Sequence, residues 1–485
     1  MTTLRRSGLA AGLVLGALVL PSLAPSQAAP SQTAPSETAP ERRAVGSSGI
    51  GDPYFPLAGN GGYDVEHYDL ALDYTPPAPE PAPLTGQLRG VARIKLVATQ
   101  ALRRFNLDLR GLEATSVTVD GRPARFSQTQ GNELVVTPRR PLRRGAKSRV
   151  VVEYGGATGR PTDVEDALYG WVTTRDGAMV VSQPDGSATW FPVNDHPTDK
   201  ATYRFAVTVP KGLTAVANGD LVGSRTRGGQ TTWTWDAPDP MAAYLATATV
   251  GNFELRRSRT PSGVPLLDFL DEDLRPADRT RSEASLALAG EMATFLEALF
   301  GPYPFVSYGA IVDDDSVGYA LETQTRSFFS RVASEGTALH ELAHQWTGNH
   351  VGPRRWADIW LNEGWAEYAT WMWTEARGGT TAQQAYEAVF ARPADDEFWT
   401  TVVSDPGPTG LFADAIYDRG AATLHALRLA VGEEAFRAVA RAWVTTYGGR
   451  TAGTRDFRRL AQRVSGRDLD ALFDAWLDTP AKPAA

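Results

Sequence analysis

The chain contains no cysteine and only six histidines among 485 residues. Without cysteine there can be no disulfide, no thiolate metal ligand and no lipid on a leader-junction cysteine, so any metal must be held by His, Asp or Glu. Basic residues are outnumbered as well, 48 Lys and Arg against 56 Asp and Glu, for a net charge of −8. An acidic balance is unsuited to nucleic acid or an anionic membrane, so neither is expected as a partner. The apolar run from Leu9 to about Leu20 falls short of the roughly 20 residues a membrane span needs. It follows Arg5 and Arg6, breaks at Pro21 and is succeeded by the small residues Ser26 and Ala28. That pattern is a signal peptide over residues 1–28, which predicts a secreted, extracellular protein with no stable membrane anchor once the leader is removed. Loss of the two leader arginines takes the net charge to −10.

What remains is ordinary for a globular protein, 42% hydrophobic and 21% charged, with length for several domains. Residues 29–50 are rich in Ala, Pro, Ser and Thr and read as an extended linker. From 51 to 252 the signals are those of strands. In EHYDLALDY, Tyr68, Leu70, Leu72 and Tyr74 alternate with polar or small positions, and Asp120-Gly121 and Asn218-Gly219 read as turns between extended runs. An all-β, sandwich-like domain is expected there. From 253 to 485 helical periods dominate, including ADRTRSEASLALAGEMATFLEALFG and a helix expected to run from an Asn362 cap to Gly378-Gly379.

Half of the histidines fall in ALHELAHQWTGNH, residues 338–350. Leu339, Leu342, Ala343 and Trp346 form a helical apolar stripe, which sets His340 and His344 together on one flank, about 6 Å apart along the axis. Two neutral imidazoles one turn apart can grip one cation, and Glu341 can take a proton from water there: the H-E-x-x-H zinc pattern. Chance at this composition gives about one such match in 200 chains, which favours a metal site over two structural histidines. WLNEGWAEY downstream offers Glu363 and Glu367 as a third ligand, and spacing alone does not choose between them. Either completes a His₂Glu set with an open fourth position, as catalytic zinc requires.

These motifs resemble the zinc aminopeptidases typified by aminopeptidase N and leukotriene A hydrolase, in which H-E-x-x-H is followed after 18 residues by a glutamate ligand. Counting from His344 reaches Glu363, inside WLNEGWA, similar to the family's W-L-N-E-G-F-A. The resemblance implies one zinc per chain on His340, His344 and Glu363, with Glu367 orienting an imidazole through its free N–H. GYALET, residues 318–323, stands where the family carries G-A-M-E-N, which places Glu322 at the site for the substrate's free α-amino group and Ala320 on the strand along which the substrate backbone would lie. Tyr319 replaces the first glycine of that motif and Thr323 its asparagine. SQPDGSATWFPVNDHPTDKATY resembles the segment ending F-P-C-x-D-x-P, with Asp185 at a second amine-binding position and Gln183 beside it. IYDRG puts Tyr417 at the tyrosine that stabilises the oxyanion.

By that resemblance the fold is multidomain, an N-terminal all-β sandwich or saddle domain followed by a mainly α, thermolysin-like α+β catalytic domain, without the long C-terminal helical domain of many relatives. The implied function is a secreted zinc aminopeptidase acting on peptides with a free N-terminus, with Glu341 as general base and Tyr417 as oxyanion donor. Two alternatives stand beside it: a zinc endopeptidase using the same centre, and a non-catalytic secreted peptide-binding protein. His67, His196, His350 and His425 read as structural, and Trp360, Trp365, Trp371 and Trp373 as packing.

Overall fold

The computed structural model describes residues 44–129 and 133–484. The leader expected over 1–28 lies outside them, as does most of the linker expected over 29–50. The end of that linker is a correction: Ala44–Val45 is a strand, paired parallel with Leu102–Asp108. The Ala44 N–H donates to the Ala101 carbonyl and the Gly46 N–H to that of Arg104, both at 2.9 Å. Backbone groups that find partners in a sheet rather than in water bring the segment into the fold.

The β-rich part is built on an eight-stranded sheet whose order is Asp220–Arg227, Gln230–Ala242, Lys200–Pro210, Tyr63–Thr75, Gly86–Ala98, Lys147–Thr158, Glu113–Val119 and Arg122–Pro123. Two four-stranded sheets accompany it, one containing Leu102–Asp108 and Glu133–Thr137, the other Gly170–Thr173 and Ala178–Val181. Alternation in Tyr63–Thr75 is as the sequence indicates, with Tyr68, Leu70, Leu72 and Tyr74 buried. A bulge between Val65 and His67 shifts the phase upstream, so that Tyr63 and Val65 are buried too. Asp120 and Gly121 both have positive φ and close a hairpin in which Val119 faces Arg122. Asn218-Gly219 does something else. It carries the chain from strand Thr214–Ala217 of one sheet to Asp220–Arg227 of another. A Cβ on Gly219 would meet the Asp236 carbonyl at 2.1 Å, so only glycine passes there.

Sheet membership changes at Asn252. Phe253–Arg259 opens a five-stranded sheet ordered Phe253–Arg259, Pro265–Asp271, Ala310–Asp313, Ser327–Ser330, Ala320–Leu321, which leaves Ala320–Leu321 as an edge. Helices make up most of the rest of this part: Pro276–Leu286, Ala289–Phe300, Glu335–Ala343, Trp360–Ala376, Asp414–Val431, Glu433–Tyr447 and Thr454–Ser465, with Glu335–Ala343 touching the edge strand Ala320–Leu321. The expected tryptophans are packing residues, with Trp360 and Trp365 fully buried and Trp371 and Trp373 nearly so. Among the described residues no helix is long and apolar enough to cross a membrane.

The two parts are fastened by polar groups buried between them. Asn218 donates from Nδ2 to the carbonyls of Leu245 and Gln324 at 2.9 and 2.7 Å. Arg326, fully buried, donates to the Gly219 carbonyl at 2.6 Å and lies 5.5 Å from the Trp235 ring. Buried hydrogen bonds of this kind are expensive to leave unmade, so they fix where the edge strand sits relative to the β-rich part.

Candidate active site

Ser334 caps the helix Glu335–Ala343 by accepting from the Thr337 N–H, and His344 forms its C-cap. One turn of helix separates His340 from His344, and their ring centroids are 4.8 Å apart. The next long helix, Trp360–Ala376, brings Glu363 to them. Its start corrects the expected Asn362 cap: a 3₁₀ turn at Trp356–Asp358 and a helical Ile359 feed directly into it, so Asn362 is buried inside the first turn. Glu363 Oε2 lies 3.3 Å from His340 Nε2 and 3.2 Å from His344 Nε2.

The outer nitrogens of both rings are engaged. His344 Nδ1 faces the Thr347 carbonyl at 3.0 Å, and His340 Nδ1 lies 3.5 Å from Glu367 Oε2. Glu367 is itself held by a 2.7 Å hydrogen bond from Trp371 Nε1. With Nδ1 tied down on each ring, both Nε2 atoms converge on the Glu363 carboxylate. Gly348, at φ 124°, lets the chain turn back under the helix; a Cβ there would come within 3.2 Å of His344 Nδ1. Among the described residues, His340, His344 and Glu363 bring one ligand atom each within 4.8 Å of one another, and Glu322, Glu341 and His344 form an overlapping set. Two imidazoles and one carboxylate, with nitrogens and oxygen converging from two helices, fit zinc and leave a corner open.

Around this cluster lies a cavity of about 440 Å³ lined also by Gln183, Tyr319, Ala320, Glu322, Glu341 and Tyr417. Glu341, the expected general base, shares the cavity. It is 5% exposed, and among the described residues its Oε2 has no hydrogen-bond partner. Burial pushes its carboxyl up to about 7, with His340 and His344 pulling the other way. Burial likewise raises Glu322. For Glu363 burial acts upward, but the two neighbouring imidazoles outweigh it and hold the carboxyl down; the same contacts hold both imidazoles above their usual range against burial. Tyr417, on the helix Asp414–Val431, sits with its ring centroid 6.0 Å from that of His340. Burial and then the surrounding carboxylates raise its phenol well above 10, so it stays protonated and can donate.

Of the two candidates beside Glu322, the structure brings in Gln183 and turns Asp185 away. Gln183 Nε2 donates to Glu322 Oε1 at 3.0 Å. Asp185 faces Arg110, whose Nη2 donates to the Asp185 carbonyl at 2.7 Å and lies 3.6 Å from its Oδ1, and it does not line the cavity. Ala320 lies on the edge strand, paired with Phe329 on one side only. Tyr319 swings its hydroxyl to the Leu168 carbonyl at 2.7 Å, which anchors the ring at the cavity wall. The remaining four histidines are engaged elsewhere: His196 with Asp52, His67 with Thr202, His425 with Tyr368 and Gln383, and His350 edge-on to the Phe305 ring.

Sequence reasoning missed the residues that hold Glu322 in place. Asn349 Nδ2 donates to the Glu322 carbonyl at 2.7 Å, while Gln345 Oε1 accepts from the Thr325 N–H at 2.8 Å. Both lie in the stretch 338–350, but as amides with partners some twenty or more residues away they carry no local signal.

A fold of this kind around a His₂Glu centre defines a zinc metallopeptidase. Residues 313–476 match the peptidase family M1 domain and residues 64–245 the peptidase M1 N-terminal domain. The chain belongs to peptidase family M1, of which aminopeptidase N is a member. Among solved structures it is similar to an M1 zinc metallopeptidase from Deinococcus radiodurans, at 30% identity over 90% of this chain and 99% of that one, with a TM-score of 0.81. A variant of a two-domain M1 zinc metallopeptidase bound to L-arginine matches at 31% identity over the same shares, also with a TM-score of 0.81. The leucyl aminopeptidase of Saccharolobus solfataricus is 25% identical over 451 residues, 86% of this chain and 54% of that protein. Aminopeptidase N of Lactococcus lactis is 26% identical over 414 residues, 78% of this chain and 48% of that one. The chain thus spans about half the length of the curated relatives it matches.

Proposed function

We propose that the protein is a zinc aminopeptidase that removes the N-terminal residue from peptides. The observation that carries this reading is the acidic end wall of the cavity: Glu322, 2% exposed and paired with Gln183, beside the His340, His344 and Glu363 cluster. A buried carboxylate there welcomes a substrate ammonium, whereas an acyl-blocked nitrogen leaves buried acceptors unpaired. Bound zinc supplies Lewis-acid chemistry at the scissile carbonyl and makes water a nucleophile near neutral pH. Glu341, buried beside the cluster, takes the proton from the attacking water and returns it to the departing amine. Tyr417 donates its phenolic hydrogen to the developing oxyanion. Glu367 and the Thr347 carbonyl hold the two rings with Nε2 facing inward. The unpaired side of the Ala320–Leu321 edge can accept the substrate backbone as an added strand.

Related structures support a small amino-terminal substrate, since neighbours have been solved with L-arginine and with a Tyr-Ser-Ala peptide. Export is part of the same proposal and rests on the Arg5-Arg6 and Leu9 to Leu20 pattern. The test is a pair of otherwise identical peptides, one free and one N-acetylated, incubated with zinc-loaded protein. Cleavage of the free peptide only, one residue at a time from its N-terminus, is expected; equal cleavage of both, or internal cuts, would reject the reading.

A further inference from the structure

If Glu322 anchors the substrate's amine, its distance from the metal cluster decides which bond is presented for hydrolysis. That distance spans two separate elements, the edge strand Ala320–Leu321 and the helix Glu335–Ala343, and two side chains bridge them: Gln345, whose Nε2 donates at 3.4 Å to the carbonyls of Glu322 and Glu341, and Asn349, which makes the shorter contact. The Asn349 N–H donates to the His344 carbonyl at 2.9 Å, while its Nδ2 donates to the Glu322 carbonyl at 2.7 Å. Asn349 is fully buried and, among the described residues, its Oδ1 has no partner, so the Nδ2 bond to Glu322 is what orients its amide. Turned over, it would set oxygen against oxygen.

The Asn349 carbonyl is held in turn from the β-rich part. Lys200, the first residue of strand Lys200–Pro210, donates from Nζ to the Asn349 carbonyl at 2.7 Å and to that of His350 at 3.1 Å. Among the described residues Lys200 makes no salt bridge, and its ammonium is held by those two main-chain carbonyls. A Cβ on Gly352 would come within 3.1 Å of Lys200 Cε, which marks how closely the loop wraps the lysine stem.

We propose that Asn349 is a positioning residue that sets the spacing between the amine anchor and the metal ligands, and that Lys200 locks it from the β-rich part. This inference rests on the aminopeptidase reading. Neither residue touches the reacting atoms, so the effect should fall on recognition of the amino end and not on the chemical step.

The test uses the full-length zinc-loaded protein and the same free and acetylated peptides. Asn349→Asp, which keeps the shape but sets an acceptor against the Glu322 carbonyl, and Lys200→Met should each raise KM for the free peptide about tenfold or more. Their kcat should stay within about threefold, with one zinc per chain retained. Lys200→Arg, which restores donors on a long stem, should recover most of the lost affinity. Unchanged KM in both Asn349→Asp and Lys200→Met would overturn the inference, as would a fall in kcat that tracks zinc loss, since that assigns the pair to general support of the metal site. Should Asn349→Asp fail to fold, the Lys200→Met and Lys200→Arg pair decides the question alone. A wild type that cleaves both peptides equally would instead reject the aminopeptidase reading itself.

Discussion

Replacing Glu341 with glutamine removes an ionisable proton acceptor while keeping the side chain's shape. Two effects follow, and they are measured separately. General acid–base catalysis by a positioned carboxyl contributes roughly 10²–10⁴ in rate, so kcat should fall by about that factor with KM little changed and zinc retained. The second effect is on stability. Glu341 is 5% exposed, and burial raises its carboxyl from 4.5 to about 7. Ionising it in the fold is therefore unfavourable by about 3 kcal/mol relative to the unfolded chain. Because the folded value lies above the unfolded one, nothing is lost below pH 4.5, where both states keep the proton, and the whole destabilisation is present above pH 7. Glutamine removes it, so zinc-stripped Glu341→Gln should be more stable than zinc-stripped wild type at pH 8 and nearly equal to it at pH 4.5 in urea unfolding. A variant with near-normal kcat, or one equally stabilised at both pH values, would refute the reasoning.

Tyr417→Phe should keep zinc and lose about 10²–10³ in kcat, as removal of one oxyanion donor does, checked by steady-state kinetics beside metal analysis. Glu363→Ala should lose the metal, read by elemental analysis after dialysis, because two imidazoles alone leave the site a ligand short. Gln183→Ala should raise KM for a free-amine peptide while Asp185→Ala leaves it near wild type, since of these two Gln183 contacts the Glu322 carboxylate and Asp185 faces Arg110. His340 and His344 are held above their usual range by Glu363 and its neighbours, so near pH 7 zinc must displace protons from them. Calorimetry in buffers of different ionisation enthalpy should show that release, and zinc affinity should fall as pH is lowered from 8 to 6.

The two histidine ligands were legible because their geometry is local, four residues on a helix placing two imidazoles together, whereas Glu363 was singled out from Glu367 only by the resemblance to the zinc aminopeptidases. Glu341 and Glu367 came with them. The strand Tyr63–Thr75 was equally plain, since alternation is a property of neighbours in sequence. Choices that depend on distant partners were hidden. Arg110, 75 residues away, turns Asp185 from the cavity and leaves Gln183 beside Glu322. Asn218-Gly219 looks like a hairpin but carries the chain between two sheets, and Asn218 reaches Gln324 across 106 residues. Asn362 looks like a cap, yet the turn at Trp356–Asp358 starts the helix before it.

Zinc-edge anomalous diffraction from crystals of the zinc-loaded protein tests the central claim most directly. The expected map has a single strong peak about 2.0–2.2 Å from His340 Nε2, His344 Nε2 and a Glu363 oxygen, on the cavity side facing Glu341. A peak ligated by other residues, or none at these three in protein that still hydrolyses peptides, would contradict it.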